Sequence, residues 1–480
     1  MRSRRDRVLV GEMVTSTRTH ATSLYYNEAV DPAGRPRPGY AALLDAVDTA
    51  QLPELQRRVC EAMQRMGATF GDDEGHVFPV CPIPRLIHAD EWALLQRGLA
   101  QRARALNAFI ADVYGDCEIV RAGVIGRQLI AEADHYEPAM AGICPPGGFA
   151  PIIGFDLVRG SDGRLRVLED NLRTPSGFAY SAAVRHTAES QFPLSDRRRV
   201  PLDPAFESLG MVFHEAAGGM EDPRVALLSD GPANSAWFEH RALARRLGVS
   251  IATPERLRLE NGRLCMLLPS GELQPLDVVY RRTDEDRLHD ERGWPTWLGE
   301  MLLEPLQRGL LSVLNAPGSG VADDKLVHAY VEDMIRFYLA QEPLIESVRT
   351  YDLTRRNTLT KVLGRLGELV IKPRSGSGGD GVVIGAKATP EERARIAAAV
   401  RAAPNRFVAQ ETVNLSRLPT VVDGRVEPRH VDLRVFSLSS SARTVVLPAP
   451  LTRVALRDGS MIVNSSKGGG AKDTWIIAAD

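Results

Sequence analysis

The chain has 480 residues and a mass of 52.5 kDa, enough for roughly two to four structural units. Apolar residues make up 44% and charged residues 25%, the proportions of an ordinary globular protein. With 59 basic and 61 acidic residues the net charge is −2, which excludes a general nucleic-acid or membrane-surface binder, since such binding rests on surplus positive charge.

Residues 1–40 are rich in Arg, Pro and Gly and read as extended or poorly ordered chain. The basic start lacks the apolar stretch of a signal peptide, and no apolar run reaches the ~18 residues of a membrane span. The five cysteines (Cys60, Cys81, Cys117, Cys144 and Cys265) form no C-x-x-C pair, which fits a reducing compartment. A cytoplasmic location is expected. Helical spacing runs from Tyr40 to about Met66. A second helix is predicted from Asp90, as N-cap, to Tyr114, stopped by Gly115. Residues 41–149 thus form a mostly helical leading region. Residues 150–171 turn strand-like. Short strands at Val225–Leu228 and Val278–Tyr280 flank a helix near Trp237–Leu247, and a further helix is predicted over Asp323–Leu339. From Glu368 strands dominate, broken by one helix near Pro390–Ala402. The pattern is mixed α/β with interleaved lobes.

Asp162-Gly163 between two apolar runs predicts a two-residue hairpin turn. Counting outward from that turn, Asp156 falls opposite Glu169, and Asn171 shares the face of Glu169. Carboxylates facing each other across a ladder repel, and a hard divalent cation such as Mg²⁺ would relieve the repulsion. A solvent-facing hairpin is the alternative. The next residues include Arg173, Ser176 and Gly177.

Lys372-Pro-Arg374-Ser375-Gly376-Ser377-Gly378-Gly379-Asp380-Gly381 holds a G-x-G-x-x-G match. A strand-like Val382-Val-Ile follows it, where a dinucleotide-binding fold needs a helix. No Lys-Ser or Lys-Thr completes a Walker A pattern, and no kinase catalytic set follows. A loop whose bare N–H groups fold over phosphates remains, with Lys372 and Arg374 as cations. Phe407-Val-Ala-Gln410-Glu411 suits an adenine-binding edge. Asp432 and Arg434 share a face of one strand, and Arg453 is polar within an apolar run. Lys325 falls on the first turn of a helix capped by Asp323, where the helix dipole disfavours a cation unless an anion is near. Asn464–Asp473 reads as a mobile tail or a second lid. Ser176 and Cys144 have no base placed by sequence, so neither is assigned a nucleophilic role.

In this order the pieces resemble a circularly permuted ATP-grasp enzyme related to the synthetase part of glutathionylspermidine synthetase. The Mg²⁺-like set (Asp156, Glu169, Asn171) comes first, followed by Lys325, Lys372, Gln410, Glu411, Asp432, Arg434 and Arg453. Strings that look like that family's are Leu168–Gly177, Asp230–His240, Asn315–Lys325, Ile371–Gly381, Arg429–Arg434 and Asn464–Trp475. The resemblance implies a circularly permuted ATP-grasp fold with an inserted α/β lobe. Residues 150–222 would form the Mg²⁺-site part, 223–320 a substrate-side lobe and 321–480 the nucleotide-binding part. It implies an ADP-forming carboxylate–amine ligase using ATP and Mg²⁺. The catalytic residues would be Lys325, Lys372, Arg434 and Arg453. The nucleotide would be bound by Lys325, Lys372, Arg374, Ser375, Gly376, Ser377, Gly378, Gly379, Gly381, Gln410, Glu411 and Asp432. Arg173, Ser176 and Arg281 would hold substrate, a small-molecule or peptide carboxylate joined to an amine. Lys361 competes with Lys325 for the first lysine. A partner protein or a second copy of the chain stays open, as do two other readings: a partner-dependent or non-catalytic ATP binder, and a phosphotransferase.

Overall fold

The computed structural model describes residues 25–46, 49–71, 76–77, 79–191, 200–376, 379–441, 443–461, 463 and 468–477. The elements that frame the site begin with strand β1 (Val80–His88), the long helix α1 (Ala89–Val113) and the hairpin β2 (Ile152–Arg159) and β3 (Leu165–Asn171). Next come β4 (Val225–Leu228), α2 (Trp237–Leu247), β5 (Ser250–Ala252), β6 (Val278–Arg281) and β7 (Ser312–Leu314). Two short helices, α3 (Lys325–His328) and α4 (Val331–Leu339), lead to β8 (Thr350–Asp352), β9 (Leu369–Pro373), β10 (Val383–Ile384), α5 (Pro390–Ala402) and β11 (Phe407–Glu411). The last segment gives β12 (Arg425–Ser439), β13 (Leu451–Val454) and β14 (Gly470–Ile477).

These strands build three sheets. The largest runs β1-β14-β13-β12-β2-β3, with only the β1–β14 pair parallel. The second, β7-β6-β4-β5, is wholly parallel. The third, β8-β11-β9-β10, is antiparallel. Strand β2 is buried along its whole length, as a near-continuous apolar run between two partners should be. Helix α1 lays Leu99, Leu106, Phe109 and Ile110 into the same core as Ile153, Phe155 and Leu157 of β2.

Several elements differ from the sequence expectations. The helix over Tyr40–Met66 is two helices, Tyr40–Ala46 and Leu52–Arg65; Pro53 lies in the first turn of the second, where its missing N–H costs nothing. In α1, His88 is the N-cap and Asp90 lies in the first turn. The helix expected over Asp323–Leu339 breaks between α3 and α4, and Asp324, not Asp323, caps it by accepting from the Leu326 N–H. Asp323 turns instead to the Leu172 N–H and to Arg173. The expected tail or lid at Asn464–Asp473 is corrected as well. Residues 464–467 lie outside the described residues, but Gly470–Asp473 belong to buried β14. Lys472 there donates to Cys81 Sγ at 2.9 Å and to the Pro419 carbonyl at 2.8 Å, and Asp473 binds Arg185. Strand β1 was not anticipated, because Pro82 and Pro84 lack ladder donors; its edge position tolerates them. No helix among the described residues is long and apolar enough to cross a membrane.

Candidate functional site

Asp156 stands opposite Glu169 in the β2–β3 ladder, as counted from the sequence. The turn that sets this register is different, however. The Gly163 N–H donates to the Gly160 carbonyl and the Gly160 N–H to the Arg164 carbonyl, both at 3.0 Å, closing a loop over Ser161, Asp162 and Gly163. Gly163 sits at φ 79°. This longer loop slips the register by one residue. A bulge at Leu168 slips it back, so that Leu157 faces Val167 while Asp156 faces Glu169.

A row of charges then crosses the large sheet. Arg434 of β12 lies opposite Asp156 and grips it bidentately at 2.7 and 2.8 Å. Arg453 of β13 reaches the same carboxylate at 2.9 Å and also bonds Asp432, its ladder partner. Burial alone would raise the Asp156 carboxyl, but Arg434 and Arg453 outweigh it and hold the group well below the usual carboxylate range. At Asp432 burial wins, and the carboxyl is pushed up despite Arg453.

Glu169 faces the third sheet. Lys372 of β9 donates to its carboxylate at 3.1 Å. Lys325, at the start of α3, donates to the Gly376 carbonyl at 2.6 Å. Burial again raises Glu169, and Lys372 with Lys325 more than offsets it. Burial lowers the Lys325 ammonium, and Lys372 beside it adds to that shift. Glu169, Asn171, Lys325, Lys372, Gly376 and Gln410 line one cavity of about 50 Å³. Small-molecule pockets measure ~300–1,000 Å³, so this arrangement is closed. Lys361 is exposed on a separate helix.

The glycine-rich segment links β9 to β10 as the loop of a hairpin, in line with the strand read after it. Gly376, Gly379 and Gly381 have φ of 99°, 81° and 70°. A Cβ on Gly381 would approach Pro373 Cγ to 2.7 Å, so both conformation and space require glycine there. Ser375 is half-buried beside them. Ser377 and Gly378 lie outside the described residues. Arg374 does not face the cavity: it is buried against Asp324 at 2.7 and 2.8 Å. Since Asp324 caps α3, this pair ties the helix that carries Lys325 to the strand that carries Lys372.

Gln410 and Glu411 point to opposite sides of β11, as strand alternation demands. Gln410 Nε2 donates to Thr350 Oγ1 at 3.0 Å, inside the closed cavity. Glu411 accepts from Arg365 at 3.2 Å and lines a neighbouring cavity of about 720 Å³.

On the side of the parallel sheet, Arg173 bonds Asp323 at 2.8 Å and Asp286 at 3.0 Å. The Ser176 hydroxyl accepts from Arg282 at 2.7 Å, and its carbonyl accepts from Arg434 at 3.0 Å. Arg281 is 1% exposed; its Nε donates to the Asn315 carbonyl at 3.3 Å, and its Nη1 has no hydrogen-bond partner among the described residues. Burial lowers the pKa of this guanidinium.

Two groups escaped the sequence reading. Glu239 of α2 is buried against Arg282 at 2.7 Å and accepts the Gly177 and Ala179 N–H groups at 2.9 Å. Asp170, between Glu169 and Asn171, turns to the far face of β3 and binds Arg102 and His328. Alternation along the Leu-Glu-Asp-Asn string could have signalled that Asp170 faces away; its partners, distant in sequence, could not be read.

No group of three or more His, Cys, Asp or Glu side chains among the described residues is arranged to hold a metal ion. Glu169 and Asn171 do present carboxylate and amide oxygens to the cavity, donors that fit a hard divalent cation.

Compared with known proteins, residues 84–455 match the sequence profile described as circularly permuted ATP-grasp type 2. An uncharacterised protein of Synechocystis is 41% identical over 469 residues, spanning 94% of this chain and 97% of its own length. A Frankia alni protein named as a candidate glutamate–cysteine ligase is 42% identical over 475 residues, spanning 94% of this chain and 54% of that protein. Among solved structures, a glutathione synthetase-like effector of Globodera pallida aligns over 90% of this chain and 98% of its own, with a TM-score of 0.58 at 13% identity, a likeness of fold.

Proposed function

The chain belongs to the circularly permuted ATP-grasp type 2 family, and from that premise we propose that it is an ATP-dependent carboxylate–amine ligase. The reaction would run through an acyl phosphate and release ADP. One observation carries the reading: Lys325 and Lys372 converge with Glu169 and Asn171 on one closed cavity between two sheets. Among the described residues the two lysines hydrogen-bond one carboxylate and one carbonyl, which leaves each ammonium with donors that an anion can take up.

On this reading the phosphates of ATP displace Gly376 from Lys325 and Glu169 from Lys372, which opens the cavity. Gly376, Gly379 and Gly381 let backbone N–H groups approach those phosphates. Gln410 and Glu411 lie toward the base and ribose. Asp156, Glu169 and Asn171 would hold Mg²⁺, which neutralises phosphate charge when bound. Arg434 and Arg453 occupy both Asp156 oxygens here, so they would have to turn to the phosphates to free Asp156 for that role; Asp432 holds Arg453 from the other side. Residues 321–480 would thus bind nucleotide, residues 150–222 the metal, and residues 223–320 the substrate. Arg173, Ser176 and Arg281 line the substrate side, where the unpaired Nη1 of Arg281 suits a second carboxylate.

A substrate carboxylate oxygen attacks the γ-phosphorus and the bond to the ADP oxygen breaks. The amine then attacks the acyl carbon, phosphate leaves with its bonding electrons, and the nitrogen loses a proton. Hydroxylamine tests this directly. Incubated with Mg·ATP, hydroxylamine and pools of amino acids and short peptides, the protein should form a hydroxamate together with equimolar ADP. ADP formation without hydroxamate from any pool would count against an acyl phosphate.

A further inference from the structure

Glu169 and Asp156 face each other across the β2–β3 ladder, and cations hold both. Lys372 donates to Glu169 at 3.1 Å. Arg434 takes both oxygens of Asp156, at 2.7 and 2.8 Å, and Arg453 adds a contact at 2.9 Å. A hard divalent cation binds through the same carboxylate oxygens, so it competes with these three side chains.

The competitors do not lose equally when a metal ion displaces them. Arg453 keeps Asp432, and Arg434 keeps the Ser176 carbonyl at 3.0 Å. Lys372 has Glu169 as its one hydrogen-bond partner among the described residues, and its side chain is 9% exposed. A metal ion on Glu169 therefore strands a nearly buried ammonium, which is costly. The reverse exchange is milder. A phosphate that draws Lys372 away strands Glu169, whose side chain is 36% exposed and reaches water. The difference in burial across this one pair sets an order.

We propose that Lys372 gates the metal site: it occupies Glu169 until a polyphosphate draws it off, so the chain takes up nucleotide before divalent metal and holds the metal poorly on its own. The gate presupposes the nucleotide site proposed above. Lys372 then has two tasks, as a cation for phosphate and as a stand-in for the metal, and the first releases it from the second.

Two probes applied separately to the full chain test the gate: ATP in EDTA by calorimetry, and Mn²⁺ alone by loss of its free electron-paramagnetic-resonance signal. The wild type should bind ATP in EDTA. Lys372→Met should move the two affinities in opposite directions, ATP weaker and Mn²⁺ tighter, each about 10- to 100-fold. Adding Glu169→Gln to Lys372→Met should remove the gain in Mn²⁺ affinity, which assigns it to Glu169. A merely structural role for Lys372 would raise neither affinity. Equal Mn²⁺ affinity in the wild type and Lys372→Met would overturn the proposal. So would a wild type that binds ATP only when Mn²⁺ is present, a result that needs no variant to fold. A wild type that binds ATP neither in EDTA nor with Mn²⁺ overturns the nucleotide reading itself.

Discussion

Lys372 Nζ lies 3.1 Å from Glu169 Oε1, joining a strand of the small antiparallel sheet to the edge strand of the large one. The pair closes the cavity proposed to take the phosphates. It also explains why a carboxylate facing Asp156 across a ladder is tolerated: each carboxylate has its own cation, Lys372 for Glu169 and Arg434 for Asp156.

Lys372→Met keeps the stem of the side chain and removes its charge. ATP affinity, measured by calorimetry, should fall about 10- to 100-fold, the worth of a hydrogen bond to a charged group. The melting temperature should change little, because Glu169 keeps solvent access at 36% side-chain exposure. Undiminished ATP affinity would remove Lys372 from the site.

Glu169→Ala separates binding from turnover. Lys372 is released from its partner, so ATP should still bind, while Mg²⁺-dependent ADP release should be lost across a magnesium titration. Circular dichroism should match the wild type. Turnover that survives would make the hairpin structural.

Glu239→Ala should destabilise the fold by about 3–5 kcal/mol, because it strands a buried guanidinium. Arg282 and Glu239 are each 1% exposed, and Glu239 also answers two backbone N–H groups where α2 meets the Arg173–Gly177 segment. Urea denaturation measures the loss. A change under 1 kcal/mol would mean that water reaches Arg282.

Glu28 sets an acid dependence. Burial raises its carboxyl, but Arg159 and Arg85 outweigh that, and its pKa lies below the ordinary 4.5. A depressed carboxylate contributes stability that is full above 4.5 and lost as pH falls through the folded value. Glu28→Gln should therefore be less stable than the wild type at pH 7, with the gap narrowing below about pH 4.5. Denaturation midpoints from pH 3 to 7 test this; a gap that stays constant with pH contradicts it.

Local pattern was legible where it was also sufficient. Val225–Leu228, Trp237–Leu247 and Pro390–Ala402 form the elements that their spacing and caps predict. The Asp156–Glu169 register was right although its basis was not, since a three-residue loop and a bulge at Leu168 cancel. The break between α3 and α4 has no Gly or Pro to announce it. Arg374 reads as a phosphate cation until Asp324, fifty positions away, claims it. His328 and Glu239 look like ordinary helix residues in sequence; only Asp170 and Arg282, brought in by tertiary packing, give them meaning.

Ligation through an acyl phosphate cleaves ATP at the γ-phosphate and leaves ADP. Purified protein incubated with Mg·ATP, with and without a small-metabolite extract of the source cells, should be resolved for ADP and AMP. ADP release should rise with extract, together with a new amide found by mass spectrometry. AMP as the product would contradict the acyl-phosphate route.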